Sequence, residues 1–169
     1  MNKLIIQMQK HGVLIDTNLL VLLAVGLVDP AQISKHKKLS AYTVESFEIL
    51  FGIFNSCRKV LISSHIIAET SNLMTHGMYG DLETKVFFAL KGIIDMDVFQ
   101  ELHIEAEKIT KNESYFKYGI SDSGLLDLIK EKVVLLTDDY RLSGYAESKG
   151  LDVLNFNHLV YALESLNQE

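Results

Sequence analysis

The sequence is nearly free of cysteine and proline and has no tryptophan. Its single cysteine, Cys57, cannot form an internal disulfide, which fits a reducing, cytoplasmic setting. Cys57 lies in a stretch with helical apolar spacing, which favours a buried thiol over a nucleophile. The single proline, Pro30, and the lack of a Pro/Gly/Ser-rich linker or an internal repeat predict one domain over residues 1–169.

An excess of positive charge is also missing. Lys and Arg number 16 against 22 Asp and Glu, which gives a formal net charge of -6. This balance argues against binding nucleic acid through global positive charge, but it leaves room for a local basic rim or a site where metal ions screen the acids. The most hydrophobic stretch, residues 13–28, is short for a membrane span and contains Asp16, so no association with a membrane is expected.

Short apolar runs alternate with helical patterns along the chain, and this alternation predicts an α/β fold with a mostly parallel sheet. Continuous apolar runs such as VVLL indicate strands that are covered on both faces. Loops are expected at 31–42 and 113–121. The predicted strands are 13–16, 59–64, 99–104, 133–137 and 151–156, and the predicted helices are 17–28, 43–57, 65–74, 81–94, 105–112, 121–132, 139–150 and the C-terminal stretch.

Acidic residues follow several of the predicted strands. Asp16 ends the first strand, and Glu69 lies one turn into the helix after the second. Asp122 opens the helix at 121–132, and Asp138 and Asp139 end the strand VVLLT. Because the carboxyl ends of parallel strands share one edge of a sheet, we expect these acids to lie together.

A cluster of carboxylates must be neutralised. Two carboxylates about 4 Å apart repel by about 4 kcal/mol at an effective dielectric near 20, which is about three pKa units on one of them. A set of ligands made only of oxygen suits a hard ion, Mg²⁺ or Mn²⁺. Such an ion activates a bound water and stabilises a phosphoryl transition state, so the residues indicate metal-assisted phosphodiester hydrolysis.

Each acid also has an ordinary structural explanation. Asp122 or Asp138 alone is best explained as a helix N-cap, and Glu69 alone as a solvated helix residue. Asp16 is harder to explain this way, because an unpaired carboxylate in an apolar run is costly. The signal lies in acids after three separate strands, each beside a small hydroxyl or amide residue.

Four short motifs carry a resemblance to a known family. They are LIDTNLL, SSHIIAE, GISDSGLLDLI and VVLLTDDYRL, which contain Asp16, Glu69, Asp122 and a Thr-x-Asp pattern. In order, spacing and strand context, this set resembles the PIN-domain nucleases over residues 12–155. The resemblance implies a three-layer α/β/α fold, and cleavage of single-stranded RNA by a metal-activated water that leaves a 3′-hydroxyl and a 5′-phosphate.

The resemblance also implies roles for individual residues. Thr17 or Asn18 would brace Asp16 or contact a metal-bound water, and Thr137 would orient the last acid. The tetrad that binds Mg²⁺ or Mn²⁺ would consist of Asp16, Glu69, Asp122 and Asp139.

Two aspartates compete for the last place in that tetrad. Side chains alternate along a strand, so Thr137 and Asp139 start on the same side if the extended geometry persists. The Thr-x-Asp pattern selects the same pair. We therefore predict Asp139 in the metal pocket and Asp138 as a helix cap or outer electrostatic neighbour.

The resemblance leaves the biological role open. Many small prokaryotic PIN proteins are VapC-like toxins with an antitoxin, and small PIN proteins commonly dimerise, so an antitoxin and a homodimer are expected partners. This chain is longer than that compact pattern, and Arg141 is the only arginine close to an acid. The alternative is a non-catalytic PIN-like module that binds RNA or protein. A DNA nuclease or an acidic-site phosphatase is a third candidate, although Asp-Thr-Asn lacks the Asp-x-Asp of haloacid-dehalogenase phosphatases.

Other polar and aromatic stretches have two interpretations each. SKHKKLS (34–40) is more simply a solvated loop than a contact for RNA phosphates. His65 and His76 lack the spacing of metal ligands, which favours structural roles. The aromatic residues Tyr115, Phe116 and Tyr118 suit base stacking, but we expect them to be packed against the protein.

Overall fold

The sheet is parallel throughout and has five strands in the order β3-β2-β1-β4-β5. The computed structural model describes residues 2–129 and 132–166. Helices cover the sheet on both sides, so the predicted α/β class and three-layer α/β/α sandwich are confirmed. The strands are β1 (Val13–Ile15), β2 (Val60–Ser63), β3 (Phe99–Leu102), β4 (Val134–Thr137) and β5 (Val153–Asn155).

The helices alternate with the strands in the predicted manner, with additions at the N-terminus and after Pro30. A 3-10 helix, Pro30–Lys35, occupies half of the predicted loop at 31–42. Asp29 explains it, because its side chain accepts a hydrogen bond from the Ala31 amide and Pro30 suits the first helical position. The α-helices are α1 (Asn2–His11), α2 (Thr17–Val28), α3 (Val44–Ser56), α4 (Ser64–Leu73), α5 (Asp81–Ile94), α6 (Ala106–Thr110), α7 (Tyr115–Leu128), α8 (Tyr140–Ser148) and α9 (Phe156–Leu166).

Four of the five strands, including the edge strand β5, are buried along their whole length. Every residue of β1, β2, β4 and β5 is buried, as expected for strands covered on both faces. The edge strand β3 exposes Gln100 and Glu101, and charge on an edge strand discourages pairing with another chain. Because all strands are parallel, their carboxyl ends lie along one edge of the sheet, directly above the buried core.

Helix α2 forms the centre of one helical group. It packs against α3, α4 and α5, and it is apolar all round, as expected for a fully buried helix. Gly26 permits the close approach of α3, because a Cβ at this position would lie 2.2 Å from Cδ2 of Phe47. The close fit of α2 against its neighbours fixes the direction in which its N-terminus points.

Helix α7 corrects the prediction of a loop at 113–121. Residues from Tyr115 onward are helical, and the helix is broken at Gly119, whose φ of 78° is open to glycine but strained for other residues. Asp122 lies in the first turn after this break. Residues 130 and 131 of the helix predicted at 121–132 lie outside the described residues, as do residues 167–169 of the C-terminal stretch.

In the described parts of the chain, 2–129 and 132–166, no helix combines the length and the apolar character that crossing a bilayer requires.

Candidate acidic site

The order of the strands reverses between β1 and β4. The chain builds outward from β1 through β2 to β3, and then in the other direction from β4 to β5. In open parallel sheets, ligands bind beyond the carboxyl ends of the strands at such a switch point. Asp16 directly follows β1 and Asp138 directly follows β4, and the Asp16 amide donates a 3.2 Å hydrogen bond to the Leu136 carbonyl. The two acids therefore lie at the position where the topology favours a ligand.

Thr137 joins these two strand ends through its side chain. Its hydroxyl donates to Oδ2 of Asp16, a carboxylate that is only 5% exposed. The Thr137 hydroxyl oxygen also accepts a 3.1 Å hydrogen bond from the Asp139 amide. Thr137 was expected to orient the last acid. It contacts the backbone of Asp139, but the carboxylate that it fixes is that of Asp16.

Side chains in the first turn of α2 donate hydrogen bonds to two more acids. The Thr17 hydroxyl donates to Oε2 of Glu69 at 3.1 Å. The Asn18 amide donates to both carboxylate oxygens of Asp138, each at 3.2 Å. Thr17 and Asn18 were considered as braces for Asp16, but their side chains reach across to α4 and to the end of β4 instead.

The cap of α8 lies at Asp139 and not at Asp138, which leaves Asp138 with the other predicted role, that of an electrostatic neighbour. Asp139 is the N-cap of α8, because its Oδ1 accepts from the amides of Arg141 at 2.6 Å and Leu142 at 3.0 Å. The prediction that Asp138 caps the helix is wrong. β4 ends at Thr137, so the alternation of side chains along a strand is not imposed on Asp139, although its own backbone is extended.

The electrostatics of Asp16 and Asp122 link the five acids. Burial first, and then the Asp138 and Asp122 carboxylates, raise the pKa of Asp16 to about 8 against the opposing effect of the Thr137 hydrogen bond. Burial, followed by Glu69, Asp139 and Asp138, raises the pKa of Asp122 to about 7. The structure therefore brings together every acid that the sequence singled out. We call this cluster the acidic site: Asp16, Glu69, Asp122, Asp138 and Asp139.

Tyr42 is a member of the site that the sequence did not reveal. Tyr42 is only 5% exposed, and the centre of its ring lies 6.2 Å from that of Phe156. Its hydroxyl makes no hydrogen bond of ordinary geometry among the described residues, although the Asp138 carboxylate is close enough to act on it as an acceptor. Burial and the neighbouring carboxylates, first Asp138 and then Asp16, raise its pKa. No sequence signal marked Tyr42, since it follows the basic stretch at 34–40 and belongs to no motif.

The site fits a divalent cation by its chemistry more closely than by its present spacing. Its acids offer only oxygen as ligands, which suits Mg²⁺ or Mn²⁺, and the pKa values of Asp16 and Asp122 are raised first by burial and then by neighbouring carboxylates. Within residues 2–129 and 132–166, no three side chains of His, Cys, Asp or Glu converge as a ready-made metal site does. Binding one ion with three of these acids therefore requires side-chain rearrangement.

One of the two histidines makes a structural contact, and the lysines of the basic stretch face solvent. Nε2 of His65 lies 3.3 Å from the Ile104 carbonyl, which ties α4 to the segment before α6. Lys35, Lys37 and Lys38 are exposed.

Comparison with protein-family models, with curated proteins and with solved structures finds no match for the chain. The functional argument therefore rests on the residues of the acidic site and their surroundings.

Proposed function

We propose that the chain is an endoribonuclease that depends on Mg²⁺ or Mn²⁺ and hydrolyses RNA phosphodiester bonds at the acidic site. The observation that carries the proposal is a cluster of carboxyl groups at the switch point of the sheet, in which Asp16 is buried and the other acids are partly buried, with pKa values of about 8 at Asp16 and about 7 at Asp122. Such a cluster is costly for stability alone, and strongly perturbed acids in a cleft favour a functional role.

The anchoring of the acids supports the same proposal. Asp16, Glu69 and Asp138 each accept a hydrogen bond from a different side chain: Thr137, Thr17 and Asn18. Isolated capping or solvated residues do not need such partners. Hydrogen bonds of this kind fix the orientation of ligating carboxylates and are part of a working metal site.

Four acids are proposed to hold the cation, and a fifth stands beside them. Oδ1 of Asp139 accepts from the amides of α8, whereas Asp138 is held by the Asn18 amide and its charge acts on Asp16. When bound, the cation supplies an activated water and neutralises charge on the phosphoryl group. Thr137 and Asn18 keep their acids oriented, and Asp139 adds negative charge beside Asp122. The proposed ligands are Asp16, Glu69, Asp122 and Asp138, with Asp139 as the competing ligand that the Thr-x-Asp pattern suggests.

RNA as the substrate rests on the resemblance of the four motifs to PIN-domain nucleases. The same resemblance supports a toxin role, with an antitoxin and a second copy of the chain as partners. A gene for a small, basic protein beside the gene for this chain would favour that role.

The experiment is RNA cleavage in Mn²⁺ and in EDTA, with folding checked by circular dichroism. Asp16→Asn and Asp122→Asn are expected to abolish cleavage and to leave the protein folded. Asp81→Asn is the matched control, because this exposed residue pairs with Lys85 on α5. Undiminished cleavage in either site variant would overturn the proposal.

A second candidate is a PIN-like module that binds RNA or protein without catalysis. The observation that favours it is the absence, among the described residues, of three acids spaced for one ion. Calorimetric titration with Mn²⁺ separates the two candidates, because the module binds no ion at the acidic site and the nuclease does.

A further inference from the structure

A cluster of cations and tyrosines lies beside the acidic site on α7 and α8. The Lys117 ammonium lies 5.1 Å from the Tyr118 ring centre and 5.7 Å from that of Tyr145. The Arg141 guanidinium lies 5.9 Å from Tyr118, and the Lys149 ammonium 5.4 Å from Tyr145. The two rings are 5.2 Å apart. We call these five residues the basic strip: Lys117, Tyr118, Arg141, Tyr145 and Lys149.

The basic strip runs along one face of α8 and begins at the acidic site. Arg141 and Tyr145 lie four residues apart on the same side of α8, and Lys149, the C-cap residue just past its end, continues this spacing. At 1.5 Å per residue they span about 12 Å. The Arg141 amide binds Oδ1 of Asp139, and the Tyr118 hydroxyl lies 3.3 Å from the Arg141 carbonyl. The strip is therefore continuous with the proposed site of cleavage.

The cations of the strip are not neutralised by the acids beside them. Four other lysines, Lys85, Lys91, Lys108 and Lys111, form ion pairs. Lys117, Arg141 and Lys149 form none among residues 2–129 and 132–166, and their side chains are exposed. Contact with the tyrosine rings holds them in place without consuming their hydrogen-bond donors. In a chain with a net charge of -6, this arrangement concentrates available positive charge in one place.

Two exposed aromatic rings flank the strip. Phe116 is 84% exposed, so the expectation that it packs against the protein is wrong. Tyr140, the first residue of α8, is 59% exposed and follows Asp139 directly. Aromatic rings interleaved with cations are the usual means by which proteins hold unpaired bases and the phosphates between them.

We propose that the basic strip binds single-stranded nucleic acid and leads it to the acidic site. Lys117, Arg141 and Lys149 contact phosphates, and Phe116 and Tyr140 stack on bases. A span of about 12 Å accommodates about three phosphates at the ~3.4 Å rise of a stacked strand. A duplex offers no free base faces to these rings, so it binds less tightly. That this strand is also the substrate rests on the proposed function.

Binding is measured without cleavage, by fluorescence anisotropy of a labelled 12-nucleotide RNA in EDTA over a range of salt concentrations. The strip variant carries Lys117→Gln, Arg141→Gln and Lys149→Gln. The control variant removes equal charge from exposed positions on other helices, through Lys10→Gln, Lys85→Gln and Lys91→Gln. A third variant, Phe116→Ala with Tyr140→Ala, tests stacking.

The strip variant is expected to bind at least tenfold more weakly, and its slope of log affinity against log salt to fall by about 2, because three phosphate contacts at about 0.7 each are lost. The stacking variant is expected to lose about fivefold or more on RNA. The control variant is expected to stay within twofold of the wild type. Equal losses in the strip and control variants would show that only general charge matters and would overturn the proposal.

Two further outcomes would also overturn it: a matched duplex that binds as tightly as the single strand, or polyglutamate that competes as well as RNA, which would indicate an acidic protein partner. The proposed function fails separately. If the wild type binds through the strip but does not cleave in Mn²⁺, the nuclease is refuted and the binding surface stands. If the strip variant binds and cleaves normally, the nuclease stands and the surface is refuted.

Discussion

The hydroxyl of Thr137 donates a hydrogen bond to the carboxylate of Asp16 across 121 residues of sequence. This contact joins the carboxyl ends of β4 and β1, the two strands between which the order of the sheet reverses. The threonine oxygen also accepts the Asp139 amide, so its proton is committed to Asp16. A single hydroxyl thereby sets both the orientation of the most buried acid and the start of α8.

Asp16→Asn is expected to stabilise the protein at neutral pH in EDTA. The folded pKa of about 8 lies above the usual value of 3.8, so between these values the unfolded chain loses a proton that the folded protein keeps. The stability present below about pH 4 is therefore lost as pH rises toward 8. Asparagine does not titrate and escapes this loss. A shift of about four pKa units at about 1.4 kcal/mol each sets an upper limit of about 6 kcal/mol, so we expect a gain of a few kcal/mol at pH 8 and almost none at pH 4.

Urea denaturation at the two pH values measures this difference. Asp81→Asn is the control, and it should change stability by less than ~0.5 kcal/mol because its ion pair with Lys85 is exposed. A variant at Asp16 that is less stable than the wild type at pH 8 would contradict the expectation.

Binding of Mn²⁺ is expected to release protons near neutral pH. Asp16 and Asp122 have pKa values of about 8 and about 7, so a substantial fraction of both carboxyl groups is protonated at pH 7 without the metal. A ligating carboxylate must be deprotonated, which makes the affinity rise with pH. Calorimetry in two buffers of different ionisation enthalpy counts the protons, and we expect about one or more at pH 7 and almost none at pH 9. Identical enthalpies in both buffers at pH 7 would contradict this.

Substitution of Asp138 is expected to impair cleavage and metal binding, whereas substitution of Asp139 is expected to impair stability. Asp138→Asn should abolish cleavage and weaken Mn²⁺ binding, because it removes charge beside Asp16 but keeps an acceptor for Asn18. Asp139→Ala should cost about 1 kcal/mol in urea denaturation through loss of the α8 cap, whereas Asp139→Asn should keep most of that stability.

Cleavage assays complete this comparison. Asp139→Asn is expected to retain most of the activity. The reverse result, with Asp139→Asn inactive and Asp138→Asn active, would return the last ligand to the position that the Thr-x-Asp pattern selects.

The sequence predicted the fold and the membership of the acidic site better than its internal contacts. Apolar runs followed by acids are local signals, so β1 and Asp16, or β4 and the acids after it, were readable from neighbouring residues. Strand order is a property of the whole fold, and the link from Thr137 to Asp16 follows only from the pairing of β1 with β4. The position of the α8 cap has a local cause, because β4 ends at Thr137, two residues before Asp139, to which side-chain alternation was extended.

Tyr42→Phe is expected to have opposite effects on stability and on metal binding. The Tyr42 hydroxyl is buried without a hydrogen bond of ordinary geometry among the described residues, and an unsatisfied buried hydroxyl costs about 1–3 kcal/mol. Its removal should therefore raise the free energy of unfolding in EDTA by about 1 kcal/mol. When Mn²⁺ is bound, the Asp138 carboxylate is ionised and can accept a hydrogen bond from the neighbouring Tyr42 hydroxyl. Phenylalanine cannot donate this hydrogen bond, so Mn²⁺ affinity should fall by about tenfold.

Urea denaturation in EDTA and calorimetry with Mn²⁺ give the two quantities. Tyr161→Phe is the control, since that side chain is 74% exposed and should change neither. A loss of stability in EDTA would show that the Tyr42 hydroxyl is already satisfied in the metal-free protein. Unchanged Mn²⁺ affinity would show that it takes no part in holding Asp138. The expected pair of results, a more stable protein that binds the ion less tightly, is the signature of a polar group kept in the core for the site and not for the fold.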